Sequence, residues 1–305
     1  MSNSAEQGRR TRSPSHFNTV VAPTFETVVI AAESTRSRPM TPRIISEGSP
    51  LDRLPAGLDH AQRGWLEGLR YSVEIADLSM RRLRGLLLDL VGRASAAGES
   101  QQVILDPDAY TAVVADAWTF LDATWRLKRF LVDGRLPRPP GPPQEPPEET
   151  DVTLDLSRFE DALTDVKAAR DGFQHFDDQA ARIASERKPV WGYINWAVIS
   201  PETKTGHTCL LVPGGLPPGS TNFSFVNPAG KPFHPPVDHI VLHAFDKSID
   251  LTELHRQLAD VTQRLETILR PQFEGSGVNA ATFLVLIKLS FGSTGEPEPT
   301  VGAAG

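Results

Sequence analysis

Trp65, Leu69, Val73, Ala76, Met80, Leu83, Leu87 and Leu90 step along the chain by threes and fours. That spacing puts all of them on one face of an α-helix, and so long an apolar face has to be covered by other secondary structure. It predicts a first helix over roughly 59–96 and commits the chain to helical layers around a shared core. Three more segments repeat the pattern. Asp106-Pro107 supplies a carboxylate cap and a proline at the first helical position, opening a second helix. Its stripe is Tyr110, Val113, Ala117, Phe120, Thr124, Leu127 and Leu131, and Gly134 ends it. Ser157 with Glu160 is a capping box for a third helix, striped by Phe159, Leu163, Val166, Arg170, Phe173, Asp177, Ala180 and Ile183. Asp250 with Glu253 caps a fourth, which buries Leu251, Leu254, Leu258, Val261, Leu265 and Ile268 and stops at Pro271.

Between the third and fourth helices the period changes. Val190–Ile199, Thr208–Val212, Asn222–Val226 and His239–Phe245 are short and rich in β-branched and aromatic residues, with Pro-Gly and Asn-Pro punctuation between them. Trp191, Tyr193, Trp196, Phe223 and Phe225 there need burial. The expected class is mainly α (α+β): a bundle of about four helices with a small antiparallel sheet inserted at about 188–245. Phe283, Val285, Ile287 and Leu289 alternate and predict a last strand joining that sheet, with a short buried helix as the alternative.

The folded domain is expected over about 51–291. Residues 1–50 are rich in Ser, Thr, Arg and Pro and read as a disordered arm, although Thr19–Ile30 can pair as a strand if a partner offers an edge. Seven prolines between Pro137 and Pro147 make a stiff linker at 136–149. The 292–305 stretch reads as a disordered tail. A net charge of -7 gives no general pull toward nucleic acid, so RNA binding needs a local basic patch. Arg81, Arg82, Arg84, Arg126, Lys128 and Arg129 supply a candidate one, though such runs also serve as solvated helix faces. The single cysteine, Cys209, excludes an internal disulfide framework and a cysteine-built metal site. The N-terminus lacks a signal peptide's apolar core, and the longest apolar run, Phe283–Ile287, is far short of the ~20 residues of a membrane span. The location expected is cytoplasmic, with no membrane partner and no cofactor. His239 and His243 share a strand face, and with His207 or His234 nearby they form the weak candidate for a zinc site.

The chemistry-bearing candidates lie in Arg170-Asp171-Gly172-Phe173-Gln174-His175-Phe176-Asp177. Arg170 and Asp177 put charge on an apolar stripe, so Arg170 needs a carboxylate partner or a cleft. Gly172 costs about 1 kcal/mol inside a helix and marks a close approach or a bend. Asp171, four residues before His175, is placed to orient its imidazole. Arg170 and His175 are about 140° apart on an ideal helix, so they converge only through arginine's reach, a bend, or pairing across a dimer. Metal-free RNA cleavage suits them: a histidine moves the proton and an arginine stabilises charge on the phosphate. An arginine and a histidine at this spacing, and a surface His–Asp pair, also arise as ordinary structural features.

The stretch Ala169–Asp177 resembles the signature helix of the HEPN superfamily (higher eukaryotes and prokaryotes nucleotide-binding): arginine, a polar residue, three variable residues, histidine. It is also similar to a bacterial HEPN-like group whose helix reads Arg-Asn-x-x-x-His-Phe-Asp, with Asp171 standing where asparagine is commoner. The resemblance implies a helical bundle and, for active members, a homodimeric metal-independent endoribonuclease of toxin or defence type. Arg170, Asp171 and His175 would then be the catalytic residues and RNA the partner. It covers about a dozen residues and a looser agreement in helix order, and the inserted sheet departs from the minimal family fold. Since members of the superfamily also include non-catalytic proteins, the alternative is a binding or protein-interaction module that keeps the helix for structure.

Overall fold

The computed structural model describes residues 27–31, 43–97, 107–132, 154–186, 188–199, 206–214, 223–278 and 283–287. The proline linker at 136–149 and the 292–305 tail lie outside the described residues. Two units divide the chain, residues 38–279 and the two termini together. Among the described residues there are five helices and six strands, a mixed α+β fold. No described helix is long and apolar enough to cross a membrane.

In the larger unit, α1 (His60–Ala97) and α2 (Pro107–Leu131) pack antiparallel, with the Trp65 indole N–H donating to the Phe130 carbonyl at 3.2 Å. Gly68 makes room for the Phe130 ring, which occupies the place a Cβ would take. The third predicted helix is two: α3 (Ser157–Gln174) and α4 (Phe176–Ser185), broken at His175. Ser157 is not the cap of α3; Leu156 takes the cap position, and Ser157 instead donates from both N–H and hydroxyl to Asp155 Oδ1. The break resets the helical phase, so Asp177 turns to solvent while Ile183 stays buried. α5 (Leu251–Gln272) is capped as expected, with Asp250 Oδ1 accepting from the Glu253 N–H at 2.9 Å. It runs past Pro271 by one residue, and Leu269 rather than Ile268 is buried. α1 packs on α2 and α5, and α3 packs on the same two helices.

The inserted sheet is antiparallel, in the order β3-β2-β4-β5, from β2 (Tyr193–Ile199), β3 (Gly206–Leu211), β4 (Val237–Ala244) and β5 (Lys247–Asp250). β4 packs on α5 and α1, and β5 on α3. Asn195 pairs with Val241 and Ala197 with Asp238, so Trp196 faces both His239 and Ile240 in a bulge, where His239 is left-handed (φ 49°). Phe245 and Asp246, both left-handed, turn β4 into β5. Asn222–Val226 is not a strand over its described part. Residues 223–226 cross the sheet instead, where Ser224 O accepts from the Asn195 amide and the Ser224 N–H donates to the Tyr193 hydroxyl. Of the five aromatics expected to be buried, Trp196 is buried and Tyr193 and Phe223 are half-buried, but Trp191 and Phe225 stay 45% and 59% exposed.

The last strand does not join this sheet. β6 (Phe283–Ile287) pairs antiparallel with β1 (Thr27–Ala31) in a two-stranded sheet of its own, because the N-terminal segment supplies a matching unpaired edge. Residues 43–50 are likewise no disordered arm. Ile45 is 4% exposed, and the Ser49 hydroxyl and Ser46 N–H both donate to Glu266 Oε1 of α5.

Candidate functional site

Arg170 leaves the end of α3 toward α2. Its Nε and Nη2 donate to Asp122 Oδ1 at 3.1 and 2.6 Å, and its guanidinium lies 5.7 Å from the Trp125 ring centroid. The side chain is 17% exposed. The carboxylate expected for it is therefore supplied by its own chain, 48 residues away. Asp171 accepts from Lys167 Nζ at 2.6 Å, one turn back on the same helix. His175 caps both helices through its backbone: its N–H donates to Asp171 O and its carbonyl accepts from Gln179 N–H. The residue is exposed, and among the described residues nothing hydrogen-bonds its imidazole. The three predicted site residues thus share one short segment while each faces a different neighbour.

Gly172 is the close approach of this segment. A Cβ there would meet Phe245 Cγ at 2.8 Å, so the β4–β5 turn seats its ring on α3. Asp246 of the same turn pairs with Arg182 of α4 and with Lys188. Beside it, Phe173 stacks between Trp118 and Trp191, at centroid distances of 4.9 and 5.0 Å. The two tryptophans, without Phe173, also line an open cleft of about 660 Å³ together with Tyr110, Val114, Pro189 and Val190. Val190 and Trp191 are exposed on its rim.

A second cavity, of about 900 Å³ and lined by both charged and apolar side chains, lies between α1, residues 231–239 and the start of α5. His255 Nε2 contacts Asp77 Oδ1 at 3.0 Å, and Arg81 Nε donates to Asp77 Oδ2 at 3.0 Å. Burial raises the Asp77 carboxyl, but the His255 bond, the Arg81 and His255 charges and the Ile44 N–H outweigh it and leave it below its ordinary value. Asp238 accepts from the His234 and His239 N–H groups. Burial pushes the Asp250 carboxyl up. Sequence reasoning passed over this cavity because its walls come from three distant segments. One signal was available: Asp77, Arg81, Arg84 and Leu88 step by four, three and four beside the apolar stripe of α1.

The candidate basic patch is largely neutralised. Arg81 pairs with Asp77, Arg82 with Asp116, Arg126 with Asp122 and Lys128 with Glu160. The histidines do not converge: His243 stacks on Tyr193, His234 contacts Asp238, and His239 lies edge-on to Phe233. Among the described residues no group of three or more His, Cys, Asp or Glu is placed to hold a metal. Cys209 is half-buried on β3, its thiol pushed up to about 11 by burial.

Comparison of the chain with protein-family models, with curated proteins and with solved structures finds no match.

Proposed function

We propose that this protein is a non-catalytic binding module whose aromatic cleft takes an extended, proline-rich segment of a partner protein. The observation that carries the non-catalytic half is the Arg170–Asp122 pair. An arginine that directs Nε and Nη2 at a half-buried carboxylate of its own chain has that edge of its fork engaged and not offered to a phosphate. Asp171, tied to Lys167, gives His175 no orienting carboxylate. What supports the binding half is the Trp118–Phe173–Trp191 stack and the exposed Val190 and Trp191 beside it. Polyproline segments dock in grooves of this kind because they are already extended and lose little entropy on binding.

The competing reading is the metal-independent endoribonuclease implied by the HEPN resemblance, with His175 and Arg170 meeting across a homodimer and RNA as substrate. One experiment separates the two. Purified protein is incubated with total RNA and chelator, as wild type and as His175→Ala, and a synthetic polyproline peptide is titrated while tryptophan fluorescence is read. The expected outcome is no cleavage by either protein and a saturable fluorescence change that Trp191→Ala removes. Cleavage by wild type that His175→Ala abolishes would restore the ribonuclease. Silence in both assays would leave neither reading standing.

A further inference from the structure

The second cavity holds an arginine with an unspent donor. Arg84 lines it, its Nε is buried without a hydrogen-bond partner, and among the described residues it makes no ion pair. Burial lowers its pKa, offset in part by the charges of Asp238 and Asp77. Neither carboxylate bonds to it. Asp238 is 1% exposed and occupied by the N–H groups of His234 and His239, and Asp77 by His255 and Arg81. A buried donor left unmade costs about 1–3 kcal/mol, so its retention here asks for a reason.

A second orphan lines the same cavity. His239 Nε2 is also buried without a partner, and the bulge that carries it holds a non-glycine residue at φ 49°. Bulges re-aim side chains, and left-handed strain of this kind gathers at ligand clamps. Leu88, Pro232, Pro235 and Pro236 add an apolar wall, and Lys231, Arg256, Asp250 and Glu253 line the rest with charge of both signs. A cavity of about 900 Å³ falls in the range of small-molecule sites.

We propose that this cavity binds a small organic anion whose carboxylate or phosphate accepts from the fork of Arg84 and from His239, while the proline wall and Leu88 cover its apolar body. The site is independent of the aromatic cleft. The α5 N-terminus adds nothing to it, since Asp250 already caps that end.

The test is calorimetric titration of the full chain with benzoate, with phenyl phosphate and with benzyl alcohol as the uncharged control. Saturable binding of at least one anion at millimolar concentration, with none for the alcohol, is expected. Benzoate alone identifies a carboxylate ligand, phenyl phosphate alone a phosphate, and both a shared oxyanion site. Arg84→Gln should weaken binding at least about tenfold, the loss of one charge-assisted pair. Leu88→Trp, at an exposed position on the rim, should weaken it by filling the space without touching a charge. No binding of either anion to wild type overturns the site, as does wild-type affinity in a folded Arg84→Gln. If Arg84→Gln does not fold, wild-type affinity in Leu88→Trp overturns it.

Discussion

Arg170 and Asp122 join α3 to α2 through two donors, with the Trp125 ring alongside. Truncating Arg170 to alanine leaves the half-buried Asp122 with the exposed Arg126 alone, and Arg170→Ala should lose about 1–2 kcal/mol in urea unfolding. Arg170→Lys should recover less than half, because an ammonium cannot fork. His175→Ala, at an exposed position, should stay within about 0.5 kcal/mol of wild type. Asp77 contributes to the acid response. Its carboxyl lies below the ordinary value in the folded chain, so its contribution is complete above the unfolded value near ~3.9 and is lost as pH falls through the folded one. Asp77→Asn should therefore be less stable at neutral pH and show a shallower loss of stability below about pH 4, read by urea titration across that range. Cys209, with a thiol near 11, should alkylate slowly with iodoacetamide at pH 8 until the protein is unfolded.

At the scale of elements, the elbow at His175 depends on Gly172. Alanine there would gain about 1 kcal/mol of helix propensity and meet the Phe245 ring at van der Waals overlap. Gly172→Ala should lose about 1–3 kcal/mol net, and the loss should shrink in a Phe245→Ala background, a coupling that a double-mutant cycle measures. The same contact explains why the elbow was hidden in the sequence. Phe159, Leu163, Val166, Phe173 and Ile183 continue one helical period through it, and the break comes from a turn some seventy residues downstream. α1 was legible to within a residue because its apolar stripe is local and long. So was the start of α5, because Asp250 and Glu253 are three apart. The β4–β5 hairpin was half-read: its turn residues, Phe245 and Asp246, are not the Asn-Gly pair that announces such a turn. The candidate site divided the same way. The charge on Arg170 signalled a carboxylate partner, but nothing local could name Asp122.

At the scale of the whole molecule, contacts 217 and 220 residues apart in sequence tie the segment at 43–50 to α5. Ile45 is buried, and Ser46 and Ser49 satisfy Glu266, itself 2% exposed. Burying the isoleucine and the two bonds to a carboxylate together are worth about 4 kcal/mol. Deletion of residues 1–50 should therefore lower the melting temperature by about 10 °C, whereas deletion of 1–42 leaves these contacts in place; calorimetry of the two truncations checks this. The Ser49–Glu266 bond also has a place in time. During synthesis Ser49 leaves the ribosome 217 residues ahead of its acceptor, a wait of about 10–40 s at ordinary elongation rates. Until then α1 and α2 can pair, but the face of α1 that meets α5 has no cover and Ile45 no seat. The nascent chain is most open to chaperones and to self-association in that interval, and it closes only when its last long helix arrives.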